Sequence, residues 1–321
     1  MTIRHSIKIP ELLRQNIITT FGSRGETWIY QLPSILEKYF AMWDLELFEQ
    51  IEDLSFNYVV KVYQRSTQCV AVLKTGPHIS GLRREKDILG YFGGGGAPKV
   101  LAFDQSDGVL LMEYIDRSQT LEHLLAREMI SDAQATTWAA QFISGLSQGR
   151  ELPVPKMTAV EIWGLGFEKF QRENFRGVDF PMEALRKAET LFMQLQSTAK
   201  KNVILHGDLH HRNLLVTPEK SIYFIDPKGL LGDPVFEVGA FIRNPLDVLT
   251  SADRSTSWLD ETLRKRIEIF SEVLGVSQYR VWGWSYAQCV LASIWSIEDQ
   301  DLKWKKWLQV AEALQRCEPS D

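Results

Sequence analysis

A run of short apolar segments, cut by polar clusters at fixed places between residues 202 and 227, limits the folds open to this chain more than any other feature. Asn202-Val203-Ile204-Leu205 leads into His206-Gly207-Asp208-Leu209-His210-His211-Arg212-Asn213. Leu214-Leu215-Val216 follows, then Thr217-Pro218-Glu219-Lys220 as a turn, then Ser221-Ile222-Tyr223-Phe224-Ile225, and the stretch closes on Asp226-Pro227. Apolar runs this short, bounded by turn residues, read as a buried strand and then a hairpin whose polar groups gather at its ends. That spacing predicts that Asp208, Asn213 and Asp226 lie near one another at the mouth of the hairpin.

Two carboxylates and an amide oxygen so placed meet the needs of phosphoryl transfer from Mg·ATP. One carboxylate accepts the proton of the attacking hydroxyl, while the amide oxygen and the other carboxylate hold the metal. Asp208 is the expected catalytic base, because a protonated hydroxyl is a poor nucleophile and a positioned carboxylate typically contributes about 10²–10⁴-fold. Asn213 and Asp226 are the expected Mg²⁺ ligands, since hard oxygen donors suit that ion. His206 is expected to hold the loop by hydrogen bonds to the main chain, with general base as its alternative role. Lys228 has two readings, a phosphate contact and a pairing with a surface carboxylate. His206 and His210 are spaced as in the HExxH zinc motif, but Gly207 stands where that motif has Glu. Gly and Asp also make a poor helix interior, so a zinc protease is set aside.

The pattern continues in Gly232-Asp233-Pro234-Val235-Phe236-Glu237, a turn and helix start with Asp233 as cap and Pro234 in the first position. Together with His206-Gly207-Asp208, Asn213 and Ile225-Asp226-Pro227-Lys228, it resembles the aminoglycoside phosphotransferase family of small-molecule kinases, and within it the streptomycin and hydroxyurea kinase branch. The resemblance covers roughly residues 45 to 300. It implies an α+β, bilobal protein-kinase-like fold, with a small N-lobe built on an antiparallel sheet and a larger, mainly helical C-lobe. The expected division is 1–115 for the nucleotide-binding lobe with its preceding helices and 116–321 for the helical lobe with the catalytic loop and substrate pocket. ATP and Mg²⁺ are the implied cofactors.

The same resemblance assigns residues outside the catalytic loop. Lys74, at the end of Ala71-Val72-Leu73-Lys74, would neutralise the α- and β-phosphates and pair with Glu85 of the following helix. Glu46, Glu49 and Glu52 are alternative partners. Glu113, Tyr114 and Ile115 would form the hinge whose backbone holds the adenine, with Met112 or Tyr114 lining the pocket. A nucleotide-covering loop is expected at residues 49–57. It contains no glycine, its three acids are expected to face solvent, and Ser55 and Asn57 are the phosphate-side candidates. The segment ending at Glu237 would support the catalytic loop through Arg212 or Arg243. Protein kinases carry Arg where Gly207 stands and Asp-Phe-Gly where this chain has Asp226-Pro227, so no phosphorylation-controlled activation loop is expected.

Along the chain, residues 7–41 carry helical patterns broken at Phe21-Gly22-Ser23-Arg24-Gly25, with Pro33 and Ser34 expected to start a second helix. Residues 56–63 and 68–74 read as strands, 79–91 as a helix, and 99–104 with 108–114 as a hairpin. The four glycines at 93–96 invite a phosphate-loop reading, but they follow a helix and lack a GK[ST] ending, so a plain helix-to-strand turn is expected. From Gln119 onward helical patterns dominate outside the catalytic hairpin, with the first helix starting near Thr120. The composition shift at 114–118 marks the lobe boundary.

A chain of 321 residues suits two lobes. Its net charge of −5 argues against a nucleic-acid surface and suits a cationic small-molecule substrate. No stretch approaches the roughly 18 apolar residues of a membrane span, and the N-terminus leads into no signal run, so no membrane partner is expected. Cys69, Cys289 and Cys317 are odd in number and far apart, which points to a reducing, cytoplasmic setting. The substrate pocket is expected from C-lobe helices. There, Trp282, Trp284, Tyr286 and Trp295 precede Glu298, Asp299 and Asp301, and Glu161, Trp163 and Glu168 form a second set. These residues have two readings, a cation site of aromatics and carboxylates, or core packing with acids on a solvated face. Trp304 and Trp307 read as packing residues. The expected activity is phosphorylation of a small-molecule hydroxyl, on an aminoglycoside such as streptomycin. The rivals are a metabolite kinase for an amino alcohol or sugar, and a nucleotide-binding pseudokinase acting as an interaction module.

Overall fold

The structure, a computed structural model, describes residues 8–52, 54–146, 157–173 and 178–320. The chain divides into two units, one ending at Asp116 and the other starting at Arg117.

In the first unit, helix α1 (Glu11–Met42) kinks at Gly22, where φ is 54° and ψ is −135°. The helix resumes at once, so Pro33 lies inside it and does not start a second helix. An interior proline costs about 3 kcal/mol or more. Burial of Trp28, Ile29, Leu32, Leu36 and Tyr39 along the same helix offsets that cost. Strands β1 (Leu45–Gln50), β2 (Tyr58–Gln64), β3 (Cys69–Thr75), β4 (Val100–Asp104) and β5 (Val109–Glu113) form one antiparallel sheet in the order β1-β2-β3-β5-β4. Tyr58, Val60, Val62, Ala71, Leu73, Val109 and Leu111 share one core with α1. Side chains alternate along a strand, so Lys74, the residue after Leu73, projects to the other face. There it meets helix α2 (Ile79–Phe92), whose buried stripe of Leu82, Glu85, Leu89 and Phe92 follows the helical repeat. Residues 93–96 form turns and bends between α2 and β4.

The second unit opens with β6 (Gln119–Thr120). The Thr120 hydroxyl caps α3 (Leu121–Ala126) by accepting the His123 N–H. Then come α4 (Asp132–Leu146), β7 (Thr158–Ala159), α5 (Glu161–Glu173), α6 (Met182–Ser197), β8 (Val203–Leu205), β9 (Leu214–Val216), β10 (Ile222–Phe224) and β11 (Leu230–Gly232). A 3₁₀ turn at Pro234–Glu237 precedes α7 (Val238–Ile242), α8 (Leu246–Leu249), α9 (Thr256–Leu274), α10 (Gln278–Glu298) and α11 (Trp304–Arg316). Helix α10 is mostly apolar and buried along most of its length, because α5, α6, α7, α9 and α11 pack around it.

Packing, not a cation pocket, accounts for the tryptophans of α10. Trp282 and Trp284 have no exposed surface. Their indole N–H groups donate to the Leu314 carbonyl at 2.7 Å and to Asp233 at 2.7 Å. Trp295 packs edge-on against Trp163 with ring centroids 4.9 Å apart. Glu298 pairs with Lys169 at 2.9 Å, Glu161 accepts from Gln196, Glu168 faces Arg172 at 3.7 Å, and Asp299 and Asp301 are exposed.

Two three-stranded sheets frame the segment read first in the sequence. One has the order β10-β9-β6 and the other β7-β11-β8. In the hairpin, Val216 pairs with Ile222 and Leu214 with Phe224, while Leu205 of β8 pairs with Leu230 of β11. Strands β6, β7 and β11 carried no sequence expectation, since two or three residues are too few for alternation to show. Among the described residues, no helix is long and apolar enough to cross a membrane.

Candidate active site

The chain leaves β8 at Leu205 and turns sharply at Gly207, whose φ is +85°. A side chain there would be strained, and its Cβ would lie 3.0 Å from the Leu230 side chain, so glycine is the residue this turn requires. The loop is then tied down from three directions. The His206 carbonyl accepts from Lys228 N–H at 2.8 Å and Gly229 N–H at 3.1 Å. The His206 ring accepts the Asp208 N–H at Nδ1, 3.1 Å, and places Nε2 2.8 Å from the Ile225 carbonyl, to which it donates. Both ring nitrogens are thereby spent on the main chain, and burial holds the imidazole neutral by lowering its pKa to about 4. A ring so used serves neither as general base nor as a zinc ligand.

The third tie is the Glu237 carboxyl group, whose two oxygens lie 3.0 Å and 3.3 Å from the Gly207 nitrogen and accept its N–H. Glu237 therefore supports the loop directly and not through an arginine. Arg212 instead pairs with Glu122, and Arg243 donates to Gln288 at 2.9 Å. Asp233 caps the turn that carries Glu237 by accepting the Val235 N–H at 3.1 Å, and its carboxylate is also held by Trp284 and Arg280.

Within this frame the loop folds back on itself. The Asn213 amide N–H₂ donates to the Asp208 carbonyl at 2.9 Å, and the Asn213 carbonyl accepts the Ile225 N–H at 3.0 Å. Asn213 is thus fastened to the Asp208 segment on one side and to the strand leading into Asp226 on the other. With its nitrogen engaged, the amide presents its oxygen as the free donor. Asp226 adopts φ of +60°, a left-handed conformation that Asp tolerates better than most residues and that commonly marks functional positions. One amide oxygen and one carboxylate fit Mg²⁺, which is usually held by one or two carboxylates with water and substrate phosphates completing its shell.

Asp208 itself is 24% exposed at the side chain and so open to a substrate. Burial would raise its pKa, but the nearby His210, Lys228 and Arg243 outweigh that and hold the carboxyl below its usual value. His210 Nε2 lies 3.8 Å from one Asp208 oxygen and Arg243 Nη2 lies 3.7 Å from the other. Lys228 is exposed, and its charge reaches Asp208 without a direct pair. Sequence reasoning weighed Arg243 only as a partner of the acidic segment and passed over Gln288. The available signal was a charged or amide residue set against an apolar run, Val238-Gly239-Ala240-Phe241-Ile242 for Arg243 and the middle of α10 for Gln288.

In the first unit the Lys74 ammonium lies 2.9 Å and 2.8 Å from the two Glu85 oxygens, and both side chains are buried. The alternative partners are used elsewhere, Glu46 by Arg65 and Glu49 by Lys61. Residues 51–57 connect β1 to β2. Glu49 and Glu52 are exposed, and Asp53 lies outside the described residues. Ser55 is exposed, with its carbonyl tied to the Asn16 amide at 3.1 Å. Glu113 is less open than the hinge reading assumed. Its N–H donates to the Lys99 carbonyl at 2.9 Å and its carboxylate accepts the Lys99 N–H at 3.1 Å. Tyr114 carries the Lys61 ammonium 5.0 Å from its ring centroid, Ile115 is buried, and Met112 is buried within β5.

A family model described as aminoglycoside/hydroxyurea antibiotic resistance kinase matches residues 43–300. Streptomycin 6-kinase of Streptomyces glaucescens is 27% identical over 310 residues, covering 93% of this chain and 94% of that one. Hydroxyurea phosphotransferase of Kitasatospora aureofaciens is 25% identical over 310 residues, covering 92% and 82% respectively. Among solved structures, choline kinase LicA from Streptococcus pneumoniae matches with a TM-score of 0.61 at 17% identity, over 89% of this chain and 99% of that one. The fold is thus the protein-kinase-like α+β fold.

Proposed function

The chain belongs to the aminoglycoside/hydroxyurea antibiotic resistance kinases, and from that premise we propose that it transfers the γ-phosphoryl group of ATP to a hydroxyl of a cationic aminoglycoside of the streptomycin type. Its curated relatives include streptomycin kinases, two of them similar over nearly the whole length of both chains. Asp208 is the base. It orients the acceptor hydroxyl and takes its proton as the oxygen attacks the γ-phosphorus; the bond from that phosphorus to the bridging oxygen breaks, and ADP leaves with the electron pair. Lys74, fixed by Glu85, meets the phosphates with its positive charge. Asn213 and Asp226 would hold Mg²⁺, which when bound neutralises phosphate charge. His206 and Glu237 set the loop. With Cys69, Cys289 and Cys317 all free, we place the reaction in the reducing cytoplasm.

The observation that supports this reading most is the closure of Asn213 onto the Asp208 carbonyl, beside a carboxylate that its neighbours keep ionised. It is tested by incubating the protein with Mg·ATP and, separately, streptomycin, hydroxyurea and choline, following ATP consumption and the mass of the product. Phosphorylated streptomycin with an idle choline reaction is the expected result. Choline turnover with streptomycin untouched would replace the acceptor, and nucleotide binding with no turnover of any hydroxyl would replace the enzyme by a binding module.

A further inference from the structure

Arg243 ends the apolar helix α7 and is buried, with 7% of its surface exposed. A buried cation is costly unless its partners are well placed. Its Nη1 donates to the Gln288 amide oxygen at 2.9 Å, its Nε has no hydrogen-bond partner, and its Nη2 faces Asp208 Oδ1 at 3.7 Å. The Trp307 ring lies against the same guanidinium, 5.7 Å from its centre. Gln288 is itself fixed, because its N–H₂ donates to the Phe236 carbonyl at 2.5 Å in the turn that carries Glu237. Room for Gln288 comes from Gly239, where a Cβ would lie 2.5 Å from the amide carbon of Gln288. The arrangement is therefore a chain of fixed contacts, from Phe236 through Gln288 to Arg243, ending on the carboxylate assigned as base.

We propose that Arg243 is a positioning residue for Asp208: held by Gln288 and Trp307, its guanidinium keeps the carboxylate turned toward the acceptor hydroxyl. This rests on the reading of Asp208 as base. A gap of 3.7 Å exceeds a hydrogen bond, so the guanidinium steers the carboxylate by charge across the gap, and contacts of this kind tighten when substrate binds. A purely structural arginine would act only through Gln288 and Trp307, and its loss would reach stability but not the chemical step.

The test compares Arg243→Met, Arg243→Lys, Gly239→Ala and Asp208→Asn in the full chain, reading kcat, the KM for ATP and the melting temperature. Misplacing a reacting group by about 1 Å costs on the order of 10²-fold, so Arg243→Met is expected to lose ~10- to ~100-fold in kcat with little change in the KM for ATP. Added guanidinium ion should restore part of that rate in Arg243→Met, and Arg243→Lys should fall between the two. Gly239→Ala keeps the arginine but pushes Gln288 out of place, and it should lower kcat even if Arg243→Met does not fold. Arg243→Met or Gly239→Ala with kcat within about threefold of the unaltered protein overturns the proposal, as does a lowered rate in Arg243→Met that guanidinium leaves unchanged. Asp208→Asn separates the two claims. Full turnover in that variant removes the base assignment and the proposal with it, whereas an inactive Asp208→Asn beside a fully active Arg243→Met removes only the role of Arg243.

Discussion

The Glu237 carboxyl accepts the N–H of Gly207, joining the turn after β11 to the first bend of the His206–Asn213 loop at 3.0 Å. Burial is the main reason that this carboxyl is pushed up to about 8; the charge of Asp208 adds to it, and the N–H groups of Gly207 and His206 oppose it. Between the ordinary carboxyl value of 4.5 and that raised value, the folded chain keeps a proton that the unfolded chain gives up. Stability from this group is thus fully present below the lower value and is lost as pH rises through the upper one, by up to about 1.4 kcal/mol per pH unit. His206, whose pKa is lowered, has the opposite slope, but it is shared by any Glu237 variant and cancels in a difference. The advantage of the unaltered protein over Glu237→Gln in thermal melts should shrink from about pH 5 to about pH 8. A difference that stays constant over that range would contradict the raised value.

Asp208→Asn keeps the size of the side chain and removes the proton acceptor. Turnover should fall by about 10²–10⁴-fold, while the thermal shift produced by Mg·ATP stays as it was. Loss of nucleotide binding in step with turnover would show that the carboxylate serves binding instead.

Asp226→Asn is the cleaner probe of the proposed metal site, since Asn also tolerates the left-handed backbone that this position adopts at φ +60°. With one carboxylate gone, the nucleotide-induced thermal shift should lose its dependence on Mg²⁺. Titrating Mg²⁺ at fixed ATP checks this, and an unchanged half-saturation point would remove Asp226 from the ligand set.

Lys74 and Glu85 form a buried pair, so removing one takes the opposite charge from beside the other. Lys74→Met should cost about 3–5 kcal/mol in chemical denaturation, whereas Lys74→Met with Glu85→Leu should recover most of that loss. The double variant should still show a raised KM for ATP, because the phosphate-facing charge is missing. Normal ATP kinetics in the double variant would make the pair purely structural.

Local pattern carried much of this protein into view. Alternation and turn chemistry located β2, β3, the β9–β10 hairpin and the loop from His206 to Asn213, and the spacing of Asp208 and Asn213 matches the contact seen at 2.9 Å. Glu85 was reached through the family resemblance, and the structure places it on the same helical stripe as Leu82, Leu89 and Phe92. These features depend on residues close in sequence, where periods of two and of 3.6 leave a direct trace.

Long-range contacts decided the rest. Whether Pro33 begins a helix or sits within one was settled by the burial of its neighbours, which outweighs the cost of its ring. Whether Trp282 and Trp284 line a pocket or fill a core depended on the helices packed around α10. The support of Gly207 by Glu237 and the seat of Arg243 on Gln288 join residues thirty and forty-five positions apart. A buried charge must find a partner, but composition and periodicity say only that one is needed; the packing of the chain selects which one.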